Sequence, residues 1–234
     1  MRRLRVAFLD ASHNDPTTRR NFRRELDADL VEFDASGGQL PDHYDFDAVV
    51  VSGSSSSVYW DDEWIADLVD WVAEAADRDL PILGVCFGHQ IVAAALGGTV
   101  EGMGSFELGY TEVEHTGDDP LFEGVGDRFT VFTSHGDSVT DLPPGAHPIA
   151  ENEYGNHGFR KGHCFGVQFH PEYDTATAEK ITESKGEFLG DDRIQSVLDG
   201  ITPANYEAAC EAKQLFDNFV QYAQRVRDES KAAA

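Results

Sequence analysis

The stretch Pro81-Ile82-Leu83-Gly84-Val85-Cys86-Phe87-Gly88-His89-Gln90, running on into Ile91-Val92-Ala93-Ala94-Ala95-Leu96-Gly97-Gly98, constrains the chain more than any other. A short apolar run meets a cysteine set between two glycines. A helix-compatible segment follows and stops at a Gly pair, where the left-handed residue after a helix end belongs. The pattern predicts strand, sharp turn and helix. In that arrangement Gly84-x-Cys86-x-Gly88 has the spacing of a nucleophile elbow with sulfur in place of a hydroxyl. The turn holds the nucleophile at a strained tip, and the flanking glycines let backbone and substrate come close. Cys86 then stands at a helix N-terminus, whose unpaired N–H groups and dipole favour thiolate over thiol. The competing reading is an inert small residue, which a cysteine in an apolar run usually is.

A candidate base downstream shifts that balance. Gly166-Val167-Gln168-Phe169-His170-Pro171-Glu172 has the pattern of a strand running into a turn. Residues two apart on an extended chain project to one side, so His170 and Glu172 can face one site together. Nucleophile, base and orienting carboxylate are all supplied.

Three blocks, Gly-Val-Cys-Phe-Gly-His-Gln at 84–90, Ser-His-Gly-Asp at 134–137 and Gln-Phe-His-Pro-Glu at 168–172, stand in that order. Together they resemble the signature blocks of class I glutamine amidotransferases, most nearly the glutaminase domain of GMP synthetase and its free-standing relatives, over roughly residues 4–173. The resemblance implies a flavodoxin-like α/β three-layer sandwich with a mostly parallel central sheet, in which Cys86, His170 and Glu172 form the catalytic triad. It further implies an oxyanion hole from the backbone N–H groups of Ser54 and Phe87, and a substrate pocket involving Gly53, Gln90, Ser134, His135 and Gly136. The loop departs from the family's Ser-Gly-Gly-Pro type at Ser54 and Ser55, which leaves open whether the hole is preformed. No cofactor is implied. The substrate is glutamine or a γ-glutamyl compound. One reading has the released ammonia passed to a separate synthetase subunit; the alternative is a free-standing γ-glutamyl hydrolase, and a third is a non-catalytic regulator that kept the fold.

The rest of the chain alternates strands with helices, which implies a parallel sheet with right-handed crossovers and ligands at the carboxyl ends of its strands. Strands are expected near 4–10, 30–33, 46–51, 106–114 and 129–132. Helices are expected at 17–28, 61–78, 175–188 and 205–227. The whole is expected to form one domain over 1–234, with 174–234 a helical extension packed on it. A polar insertion at 186–205 is either a cap on the site or a surface arm. Arg19, Arg20, Arg23 and Arg24 are expected as a solvated basic face, with a docking surface as the alternative. Glu107 is a site candidate set against an exposed ion-pair residue, and His89 is expected to be structural.

Composition narrows the partners. With 43 acidic against 18 basic residues the net charge is −25, a surface that repels phosphate backbones and anionic lipid, so neither nucleic acid nor membrane is expected as a partner. Hydrophobic residues at 41% exclude disorder. Acid-rich composition in a folded chain points to a salt-rich cytoplasm, where ionic strength screens the self-repulsion. Three cysteines without a CxxC pair argue against disulfides and for a reducing, cytoplasmic setting. The histidines lack HxxxH or HExxH spacing, so no metal site is expected.

Overall fold

A computed structural model describes residues 2–233 of the chain. Its scaffold follows from apolar residues repeating every second position on short strands. In β1 (Arg5–Asp10) and β3 (Ala48–Val51), Phe8 and Val50 point to one face of the sheet, while Ala7, Leu9, Val49 and Val51 point to the other. Both faces are therefore apolar, and each must be covered by helices. On the first face α1 (Pro16–Glu25) and α8 (Gln214–Ala233) bury Phe22, Leu215, Phe216 and Phe219 against Phe8 and Phe165. On the second, α2 (Glu63–Asp77) and α3 (Phe87–Ala95) bury Leu68, Val72, Ile91 and Val92. The result is a three-layer α/β sandwich.

The remaining strands are β2 (Asp29–Asp34), β4 (Ile82–Val85), β5 (Thr99–His115), β6 (Arg128–Asp141), β7 (His147–Asn152), β8 (Gly155–Lys161) and β9 (Cys164–Val167). They form one nine-stranded sheet in the order β2-β1-β3-β4-β9-β8-β7-β5-β6. Strands β2, β1, β3, β4 and β9 run parallel, as expected; β8, β7, β5 and β6 extend them antiparallel. The pair β7 and β8 was not expected from the sequence. β5 and β6 are longer than expected, and β6 runs straight through 134–137.

Past Glu172 come α4 (Thr175–Glu183), α5 (Gly186–Leu189), α6 (Asp191–Gly200) and α7 (Pro203–Ala209). The helix expected over 175–188 ends at 183, and the one expected over 205–227 is broken into α7 and α8 by a tight turn at Cys210–Lys213. The 186–205 insertion is not a free arm: Ile194 and Val197 of α6 pack with Leu108 and Phe132 of the antiparallel strands and Ala178 of α4. The arginines of α1 are paired rather than merely solvated. Arg20 and Arg24 both bond Asp174, at 2.7 and 2.9 Å, and Arg24 also donates to the Glu172 carbonyl at 2.6 Å. They fasten α1 to the turn that follows the third sequence block. Among the described residues no helix is long and apolar enough to cross a membrane.

Candidate active site

The elbow forms because nothing larger than hydrogen fits at its glycines. A Cβ on Gly84 would lie 2.2 Å from the Gly88 carbonyl oxygen, and one on Gly88 would lie 2.2 Å from the Val51 carbonyl oxygen. Strand β4, helix α3 and strand β3 thus meet backbone to backbone. Between the glycines Cys86 takes φ 54°, ψ −106°, a backbone state costly for a residue with a Cβ. Its N–H is held by the Val167 carbonyl at 2.8 Å. The expected elbow is present.

Strands β4 and β9 are neighbours in register, Val85 opposite Val167, so the chain just past β9 comes level with Cys86. Here His170 is buried, with Glu172 Oε1 2.9 Å from its Nδ1 and the Tyr173 ring stacked on it at 4.0 Å. Gly53 sits against both partners: a Cβ there would be 3.0 Å from His170 Cε1 and 3.6 Å from Cys86 Cβ. Cys86 from the first block and His170 and Glu172 from the third are therefore brought together. Burial opposes a charge on His170, but the Cys86 sulfur on one side and the Glu172 carboxylate on the other outweigh it and raise its pKa to about 10. An imidazole so placed favours its protonated form.

The sulfur has two further hydrogen-bond neighbours. Gln168 Nε2 donates to Sγ at 3.6 Å, and the Cys86 thiol donates to the Ser134 carbonyl at 3.9 Å. Gln168 was not among the expected site residues, although its place two before His170 puts it on the same side of the chain. Gln90, one turn after Cys86, is buried and donates to Gln168 Oε1 at 3.1 Å and to the Asp137 carbonyl at 3.2 Å. Ser54 and Phe87 line a cavity together with Cys86 and Gln90, and among the described residues neither backbone N–H is spent on another backbone group. The serine-rich loop is pinned rather than free, since Ser57 Oγ and Tyr59 Oη both donate to the Asp137 carboxylate, at 2.5 and 2.8 Å.

Ser134, His135 and Gly136 all line that cavity, while the His135 ring nitrogens are taken up by other groups of the chain. Its Nδ1 lies 2.9 Å from the Asp137 carbonyl and its Nε2 2.7 Å from Glu107 Oε2. Both neighbours are acceptors, so both ring nitrogens are taken up by partners on the chain. Glu107 corrects the expectation of an exposed residue: it is only 3% exposed, accepts from Asn152 Nδ2 at 2.8 Å, and has His157 Nε2 at 3.1 Å. Burial works to raise its carboxyl, but the hydrogen bond from His135 and the nearby His157 ring prevail and hold it at about 2. Glu107, His135 and His157 have donor atoms within 4.8 Å of one another, the spacing of a metal site, which histidine spacing in the sequence does not reveal. His89 is structural in character: fully buried against Phe159, it fills the space left by Gly166, and burial lowers its pKa to about 3.

Comparison with known proteins agrees with this geometry. The family model for glutamine amidotransferase class-I matches residues 10–185. A GMP synthase [glutamine-hydrolyzing] of Pyrobaculum aerophilum is 45% identical over 126 residues, covering 53% of this chain and 24% of that protein. One of Thermomicrobium roseum is 37% identical over 155 residues, covering 64% of this chain and 28% of its own length. This chain thus spans only about a quarter of the curated relatives it matches. The crystal structure of a glutamine amidotransferase from Thermotoga maritima superposes with a TM-score of 0.78 at 24% identity, covering 94% of this chain and 99% of that one, a likeness of fold.

Proposed function

Because the chain belongs to the class-I glutamine amidotransferase family, we propose that it hydrolyses the side-chain amide of glutamine with Cys86 as nucleophile, His170 as acid and base, and Glu172 as the residue that fixes the imidazole. The observation that carries this is the packing of Cys86 and His170 against the same Gly53, with the Glu172 carboxylate 2.9 Å behind the ring. The Cys86 thiolate attacks the amide carbon, and the resulting oxyanion is received by the N–H groups of Ser54 and Phe87. Each such donor is typically worth about 3–4 kcal/mol. As the C–N bond breaks, the proton on His170 passes to the leaving nitrogen, giving ammonia and a thioester. His170 then takes a proton from water, which attacks the thioester and releases glutamate and the thiolate. The GMP synthase relatives suggest where the ammonia goes: to a synthetase chain that this polypeptide would serve as glutaminase partner.

A second reading is favoured by one feature. A separate cavity of about 150 Å³ opens on the His170 side, lined by Ser12, Asp15, Thr18, Tyr173 and Lys185, where a leaving group larger than ammonia has room. That would suit a γ-glutamyl conjugate. The experiment is to assay the purified chain in high salt on glutamine and on γ-glutamylglycine, alone and with a GMP synthetase ATP-pyrophosphatase subunit, with Cys86→Ala as control. Glutamine turnover stimulated by the partner supports the subunit reading. Brisk γ-glutamylglycine cleavage that the partner leaves unchanged supports the conjugate reading, and turnover surviving Cys86→Ala would refute both.

A further inference from the structure

The loop over 52–57, which carries the Ser54 N–H, lies against a second loop, 11–15 between β1 and α1, that has no part in the reaction proposed above. The two are joined at their base, where Ser52 Oγ accepts from the Ala11 N–H at 2.9 Å and donates to the Gly53 carbonyl at 3.1 Å. Farther out the joint is His13. Its Nε2 lies 2.9 Å from Ser56 Oγ and 3.4 Å from Ser54 Oγ, and the Ser56 N–H donates to that same Ser54 Oγ at 3.2 Å. The His13 ring also meets Trp64 edge to face, with centroids 5.7 Å apart, and Trp64 packs in turn on Phe87 at 5.7 Å. One imidazole outside the triad thus touches the Ser54 loop directly and reaches Phe87 through a single ring. The backbone is bent to put it there. His13 and Asn14 both take positive φ, 55° and 62°, a region costly for residues with a Cβ. Asn14 is fastened in that state, donating to Asp34 at 2.6 Å and accepting from Arg19 at 2.9 Å, and Arg19 is itself held by the buried Asp10.

We infer that His13 is a positioning residue for the oxyanion hole: by holding the Ser54 and Ser56 hydroxyls it keeps the 52–57 loop in the arrangement that aims the Ser54 N–H at the oxygen developing beside Cys86. The inference rests on the reaction proposed above and deepens it by naming what sets one of its two donors. It also accounts for the composition of the loop. With serines at 54 and 55 there is no proline to stiffen the backbone, and hydroxyls tied to an imidazole on a neighbouring loop supply that stiffness instead. A serine hydroxyl both donates and accepts, so either tautomer of His13 makes these bonds. The strain at 13 and 14 has a use on this reading, because a relaxed turn would carry the ring away from Ser56.

The test compares wild type, His13→Ala, His13→Gly, His13→Gln and Ser56→Ala in two reactions, turnover of glutamine and alkylation of Cys86 by iodoacetamide. In the alkylation sulfur bonds to a saturated carbon and iodide leaves, with no oxyanion formed, so its rate reads the thiolate without the hole. Removing an oxyanion donor outright typically costs about 10²–10³ in kcat, and a donor kept but loosened should cost less: about ten- to fiftyfold in His13→Ala, with KM within about threefold and alkylation within about twofold. Glycine accepts φ 55° without steric cost, so His13→Gly removes the ring with the turn intact should His13→Ala fail to fold. His13→Gln, whose amide nitrogen comes near the place of Nε2, should recover most of the loss. Ser56→Ala should lower kcat in the same way, and the double variant with His13→Ala should lose about as much as the worse single one, because the two side chains share one bond. Melting curves show which variants are folded. Unchanged kcat in a folded His13→Ala or His13→Gly would overturn the inference and leave the glutaminase reading standing. Equal losses of kcat and alkylation rate, or additive losses in the double variant, would overturn it as well, placing the effect of His13 on Cys86 or elsewhere. No turnover of glutamine or γ-glutamylglycine by wild type, with or without the synthetase subunit, would overturn the inference together with the reading it rests on.

Discussion

Glu107→Gln isolates the buried charge cluster beside the active site. In the folded protein the Glu107 carboxylate, 3% exposed, receives hydrogen bonds from His135 and Asn152 at 2.7 and 2.8 Å and faces His157. Removing its charge leaves the buried His135 and Asn152 donors facing a neutral amide, and breaking a buried pair on one side typically costs about 3–5 kcal/mol. The depression of the Glu107 carboxyl from 4.5 to about 2 corresponds to a stabilisation of similar order, roughly 3 kcal/mol. For a chain of this length each kcal/mol moves the melting temperature by about 2–4 °C, so a fall of roughly 6–12 °C is expected at pH 7. An exposed pair would cost at most about 1 kcal/mol. The pH dependence fixes the sign. A carboxyl whose folded pKa is depressed contributes fully above its unfolded value and loses that contribution as pH falls through the folded one. The gap between wild type and Glu107→Gln should therefore be constant down to the ordinary 4.5 and shrink toward about 2. Thermal denaturation followed by circular dichroism across that range, at fixed high salt, is the measurement. A difference below about 2 °C at pH 7, or a gap that grows on acidification, would refute the buried-pair argument.

Three other outcomes are expected. Iodoacetamide at neutral pH should label Cys86 well before Cys164, although both are 4% exposed, because burial, only partly offset by Lys161, pushes the Cys164 thiol to about 12; equal labelling would contradict an activated Cys86. Gly88→Ala should destabilise the fold by several kcal/mol and abolish activity, since its new methyl would meet the Val51 carbonyl at 2.2 Å, whereas Gly186→Ala, with nothing within 4 Å, should be nearly neutral by melting temperature. Raising salt from low to multimolar concentration should raise the melting temperature of a chain with net charge −25, and a salt-independent value would contradict the halophilic expectation.

The elbow was legible because its determinants are local: an apolar run, two glycines and a helix start sit within a few residues. The parallel half of the sheet was legible for the same reason, each strand being a short buried run between turn signals. Glu107 was misjudged because its neighbours along β5, Glu112 and Glu114, are exposed and pair with Arg128. What buries Glu107 is the arrival of His135, Asn152 and His157 from three other strands, which no local pattern encodes. The break between α7 and α8 carries no Gly or Pro to announce it.

The ladder between β4 and β9 sets the separation of Cys86 and His170, and the whole antiparallel half of the sheet is chain looped out between those two strands. The distance across the reacting centre is thus independent of how much polypeptide intervenes. Lengthening a connection between β5 and β8 adds only the closure entropy of a longer loop, about 0.6 kcal/mol for each doubling, and leaves the register of Val85 with Val167 untouched. Such a fold has room to diverge in what surrounds the reacting centre, acquiring new walls and new docking faces by insertion, while the atoms that carry out the reaction stay where one parallel strand pair has put them.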